Sequence, residues 1–235
     1  MKTELFNDLI SEYSHRYPAG PNLWSPLKSE LEFWHRMRLF AALRWGLQQL
    51  PIPIAEARIL DVGCGLGNST RALLEFGVKP ENVLGIDLLP SFISYAKSLN
   101  PAVPVRVVQD FDDWPREPFD LCIQCTAFSS IPGNERRTAV AQMMEKMVSD
   151  HGYIFWWDSL NANSFAGGDP LDPRALFENS AVLGYRRVSL RPSIDEALRY
   201  HGKKTALIAR VIKKIAGFPT THCAAVFRTG RLRGD

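Results

Sequence analysis

The stretch Ile59-Leu60-Asp61-Val62-Gly63-Cys64-Gly65-Leu66-Gly67-Asn68 decides how the rest of the chain is read. Arg58–Val62 is a short apolar, β-branched run, three alternate glycines follow it, and Asn68–Phe76 has helical spacing, so the glycines lie on a strand-to-helix turn. Lacking Cβ atoms, they let the main chain turn tightly and come close to a ligand. Three of them would only weaken packing unless something had to approach. The start of the helix directs unpaired N–H groups at whatever occupies the turn. Asp87 ends a second apolar run, Asn82–Ile86, and a carboxylate at this offset suits the hydroxyls of a ribose.

The glycine spacing separates two kinds of nucleotide. A dinucleotide turn is G-x-G-x-x-G, whereas here the third glycine falls one residue early and Asn68 stands where the last would be. The pattern D-x-G-x-G-x-G resembles the first motif of class I S-adenosylmethionine (SAM)-dependent methyltransferases, a cofactor without pyrophosphate. That resemblance covers residues 58–228 and implies a Rossmann-like, seven-stranded, mostly parallel sheet with its last strand antiparallel. It implies a SAM site, with S-adenosylhomocysteine as product, made by Asp61, Gly63, Cys64, Gly65 and Gly67 at the turn and Asp87 at the ribose. Leu88, Asp110 and Phe111 are expected at the adenine, with Gln124 and Cys125 toward the methionine end.

Composition agrees with an α/β enzyme. At 235 residues, 46% hydrophobic and 23% charged, the chain can bury one core, and one domain is expected over 1–235. Its parts are a helical arm or lid over 1–57, the SAM-binding core over 58–228 and a helical insertion over 191–220. Strands are expected at Arg58–Val62, Val83–Asp87, Val105–Gln109, Phe119–Cys125, Tyr153–Trp157, Tyr185–Leu190 and His222–Arg228. Helices are expected at Leu27–Leu50, Asn68–Phe76, Pro90–Leu99 and Asn134–Val148, the last capped by Asn134. This alternation predicts a parallel sheet with helices on both faces. No apolar run reaches the roughly 18 residues of a membrane span, and Met1-Lys2-Thr3-Glu4 lacks a signal peptide's features, so a cytoplasmic protein is expected. Four cysteines point to free thiols, and the lone Cys122-x-x-Cys125 has no second ligand pair, so no metal is expected.

The acceptor is expected beyond the fifth and sixth strands. Trp157, Asn161 and Asn163 there, with Trp24 of the aromatic arm, combine ring faces with amides and suit a carbohydrate. The W-x-D-x-x-x-N arrangement and the Thr221-His222 strand start resemble a methyltransferase subgroup associated with bacterial polysaccharide and glycolipid biosynthesis. The reading is therefore O-methylation of a sugar or glycolipid hydroxyl, with Asp158 or His222 removing the proton. Alternatives are a small-molecule N- or O-methyltransferase of secondary metabolism and a SAM-binding regulatory protein without catalysis. Residues Thr126–Ser130 lack the histidine that many relatives carry there, while Arg36, Arg38 and Arg44 are candidates for the SAM carboxylate. Residues 191–235 hold ten Lys or Arg against three Asp or Glu, and Lys203–Phe218 is amphipathic, which also suits an anionic membrane surface. The motifs of DNA methylation are missing, and RNA is disfavoured as a partner.

Overall fold

The computed structural model describes residues 30–189 and 220–230, together with Ile10, Ser11 and Tyr13. Trp24 and the amphipathic segment Lys203–Phe218 lie outside the described residues. The strands are β1 (Ile59–Val62), β2 (Val83–Asp87), β3 (Val105–Val107), β4 (Phe119–Cys125), β5 (Val148–Ser159), β6 (Ala181–Val188) and β7 (His222–Arg228). The helices are α1 (Glu30–Leu47), α2 (Asn68–Glu75), α3 (Pro90–Leu99), α4 (Asn134–Met147) and the single turn α5 (Pro173–Leu176).

The strands form one sheet in the order β3-β2-β1-β4-β5-β7-β6. Strands β1 to β5 pair in parallel, and β7 runs antiparallel to both β5 and β6. The doubly wound reading and the reversed last strand both hold. In such a sheet the chain reverses its direction of winding at β1 and β4, and ligands sit beyond the carboxyl ends of the strands there.

Two apolar clusters cover the two faces, because β1, β4 and β5 are buried on both sides and carry apolar residues almost without alternation. One contains Leu39, Leu43, Ile59, Leu73, Leu121, Phe155 and Val226. The other contains Leu60, Phe128, Met144, Ile154, Trp156, Phe177 and Phe227. Helix α1 lies so close on β5 that a Cβ at Gly46 would fall 2.4 Å from the Phe155 ring. Its Trp45 takes the Arg186 guanidinium at 4.6 Å, which fastens the arm to β6.

Several boundaries differ from expectation for local reasons. Strand β5 runs over twelve residues rather than five, because the chain leaves α4 directly at Val148 and pairs with Phe119 across a register shift. Strand β6 starts four residues early, through a second register shift between Val182 and Gly184. Asn134 is the first residue of α4 rather than its cap. Gly133 takes the cap position, and the Asn134 side chain accepts from Arg137 Nη1 at 2.9 Å.

Candidate functional site

At the end of β1, Gly63, Gly65 and Gly67 have φ of 69°, 54° and 76°, a left-handed geometry that other residues adopt at a cost. A Cβ at Gly63 would also lie 2.6 Å from that of Ala127. The turn is anchored to β2, since Gly63 and Cys64 donate to the Ile86 carbonyl at 2.9 and 3.0 Å. Asp87 then ties the two strand ends: one carboxylate oxygen accepts from Gly65 N–H and the other from Leu89 N–H, both at 2.9 Å. Burial raises the Asp87 pKa, and these backbone donors oppose the rise.

These groups edge a cavity of about 450 Å³, within the roughly 300–1,000 Å³ of small-molecule sites. Of the expected cofactor residues, Gly63, Cys64, Gly65, Asp87, Leu88 and Cys125 line it. Asp61, Gly67 and Gln124 do not; they shape its floor. Asp61 is fully buried, accepts from Ser69 Oγ at 2.5 Å, and so binds the strand to the first turn of α2. Gln124 Oε1 accepts from Ala127 N–H at 3.1 Å and sets the turn after β4. Among the described residues, Asp61 Oδ1 and Gln124 Nε2 are buried without a hydrogen-bond partner.

Asp110 and Phe111 lie just after β3, at a short 3-10 turn. Asp110 caps that turn, accepting from Asp112 N–H at 2.9 Å, and neither residue lines the cavity. The turn instead swings Trp114 into the wall beside Val108, with Phe111 behind it at 5.9 Å between ring centroids. An aromatic ring thus borders the cavity after β3, three residues beyond Phe111.

The acceptor side needs larger corrections. Asp158 is fully buried and faces the protein, accepting from the N–H groups of Phe128 (3.0 Å), Ser129 (3.2 Å) and Ser159 (2.7 Å). It holds the turn after β4 and does not reach the cavity. Burial raises its pKa to about 6 against these donors. Trp157 is also fully buried and offers its face to His222, not to solvent. Asn161 sits in an exposed turn bridged to Pro170 and lies outside the cavity wall. Asn163 does line the cavity and donates to Ser130 Oγ at 3.0 Å.

His222 lines the cavity, and so does a residue the sequence reading passed over, His35 of α1, together with Glu32 and Leu39 on the same helical face. That spacing of three and four residues was legible, but nothing local says which face of a helix meets a distant strand. From the arm, Tyr13 reaches the rim and donates to the Ser130 carbonyl at 2.8 Å. Among the described residues, Arg136 of α4 lines the cavity, and Arg36, Arg38 and Arg44 do not. Thr126, at the end of β4, holds a left-handed φ of 65°, a strained state for a β-branched residue, directly on the cavity wall.

Residues 59–151 match the methyltransferase domain family. The N-methyltransferase NodS from Bradyrhizobium japonicum WM9, solved with S-adenosyl-L-homocysteine, superposes with a TM-score of 0.63 at 17% identity, over 96% of this chain and 98% of that one. The chain has the fold of the class I methyltransferases. A geranyl diphosphate C-methyltransferase from Streptomyces coelicolor A3(2) shares this methyltransferase fold at a TM-score of 0.55 and 11% identity, over 80% of this chain and 78% of that one. In sequence, the trans-aconitate 2-methyltransferase of Streptomyces avermitilis is 32% identical over 126 residues, which is 50% of this chain and 45% of that protein. The chain thus matches under half the length of this curated relative.

The Asp61 carboxylate is fully buried in β1. Burial pushes its pKa from 3.8 to about 7, against the Ser69 hydroxyl that favours the charged form. A carboxyl raised in the folded state contributes stability that is complete below its unfolded pKa and lost as pH rises through the folded one. Between about pH 4 and 7, wild-type stability is therefore expected to fall relative to that of Asp61→Asn. His35 and His222, held low, act oppositely in this window, so the quantity to measure is the difference between the two proteins' denaturation curves. Parallel curves across that range would refute the assignment.

Proposed function

We propose that the protein is a SAM-dependent methyltransferase, a cytoplasmic enzyme acting on a small polar acceptor. The observation that carries this reading is one cavity joining the glycine turn and Asp87 to the imidazoles of His35 and His222. The residues fit SAM. The three glycines leave room for close backbone approach, Asp87 keeps lone pairs for the ribose hydroxyls, and Leu88, Val108 and Trp114 make an apolar slot for adenine. SAM supplies a methyl group on a sulfonium, open to in-line displacement.

The protein's part is alignment and proton removal. With SAM bound as methyl donor, a nitrogen of His222 would take the proton that an acceptor hydroxyl loses as its oxygen is methylated. Trp157 stacks on that ring at 5.3 Å and 29°, so an imidazolium formed there rests on an indole face. The finer reading is a sugar or glycolipid hydroxyl. Its support is now the polar rim of Tyr13, Ser129, Ser130, Ser159 and Asn163, because Trp157 and Asp158 are buried.

Calorimetry with SAM, S-adenosylhomocysteine and NAD tests the cofactor reading: binding of the first two and not of NAD is expected, and the reverse would end it. Asp87→Ala should weaken S-adenosylhomocysteine about tenfold or more, since hydrogen bonds to a charged group contribute about 1.5–3 kcal/mol. Unchanged affinity in a folded Asp87→Ala protein would remove that carboxylate from the site.

A further inference from the structure

We infer that the nucleophilic atom of the acceptor is held between His35 and His222, so that helix α1 completes the acceptor site and selects a hydroxyl or an amine over a carboxylate. This rests on the methyltransferase reading and deepens it.

The two rings meet edge to face, with centroids 6.0 Å apart and planes at 62°, and both border the same cavity. His222 is fixed from two sides: its face lies on Trp157, and its Nδ1 is 3.0 Å from Thr221 Oγ1. His35 is fixed by its helix, which is seated on the sheet through Leu39, Leu43 and Gly46. The pair is thus a rigid feature at which the arm and the last strand converge. Neither element belongs to the matched stretch 59–151.

Burial keeps both rings uncharged at neutral pH. It lowers the pKa of His35 to about 4, helped by Arg36, and that of His222 to about 4, helped by His35. A neutral imidazole carries one N–H donor and one lone-pair acceptor. Two of them around one atom can take its proton on one side and orient its lone pair from the other, which is what a hydroxyl or amine nucleophile needs. A carboxylate arrives without a proton for either ring to accept. On the α1 wall Glu32 stands with the imidazoles, and Arg36 is near enough to act on both Glu32 and His35. Arg136 borders the cavity from α4.

The test begins with S-adenosylhomocysteine calorimetry on wild type, His35→Leu and His35→Gln. If S-adenosylhomocysteine fails to bind wild type, the methyltransferase reading fails, whatever His35 does. With binding established, labelled SAM is offered with hydroxyl, amine and carboxylate acceptors, trans-aconitate among the last. The best acceptor is expected to be a hydroxyl or an amine. On that acceptor His35→Leu should lower kcat/KM at least tenfold with S-adenosylhomocysteine affinity unchanged, and His35→Gln, which keeps a donor and an acceptor, should recover part of the loss. A merely structural role for His35 would weaken cofactor binding in step and give no recovery by Gln. Best turnover on trans-aconitate or another carboxylate overturns the inference, as does wild-type kcat/KM in a folded His35→Leu protein.

Discussion

Replacing His222 with Gln should lower turnover by about 10²–10⁴-fold, the usual contribution of a positioned general base, while S-adenosylhomocysteine affinity stays near wild type. The loss belongs to the chemical step because His222, on β7, lines the cavity and makes none of the Asp87 hydrogen bonds. With Asp158 turned into the protein, His222 is the expected base that reaches the cavity. Activity should also fall in acid as its pKa of about 4 is approached, since only the neutral ring can take a proton. Full turnover by the variant on the true acceptor would leave alignment alone to carry the reaction.

Arg137→Met should destabilise the protein by about 3–5 kcal/mol, the range for removing one partner of a buried charged network. The Arg137 side chain is fully buried and donates to the Ile131 carbonyl (2.8 Å), Asn134 Oδ1 (2.9 Å) and the Ala166 carbonyl (2.9 Å), with Asp169 at 3.6 Å. It joins the turn after β4 to the loop after β5, and those two segments supply Ser130, Ile131 and Asn163 to the cavity. A methionine fills the volume but leaves three acceptors unpaired. In a chain of 235 residues the melting temperature should drop on the order of 10 °C. A drop under a few degrees in calorimetric melting would show that water replaces the guanidinium at no great cost.

Much of the fold was legible because its signals are local. Val83–Asp87, Pro90–Leu99, Phe119–Cys125 and His222–Arg228 have the bounds that apolar runs and a proline at the first helical turn predict. The glycine turn was legible too, since positive φ at Gly63, Gly65 and Gly67 is a requirement that sequence records directly. Trp157 and Asp158 were misread for a common reason. At the end of a strand, alternate residues point to opposite faces, and an aromatic beside a carboxylate looks the same whether it meets solvent or core.

What the sequence determined by itself is therefore the strand-turn-helix around residues 59–76, Asp87 at the next strand end and the alternation that forces a parallel sheet. Each depends on residues near one another in the chain, whose preferences do not wait on distant partners. Only the tertiary structure decided that His35 meets His222, that Trp114 borders the cavity and that Arg137 binds two loops together. Those contacts join segments far apart in sequence, and they follow from how α1 and the two loops pack onto the finished sheet, which no local propensity encodes.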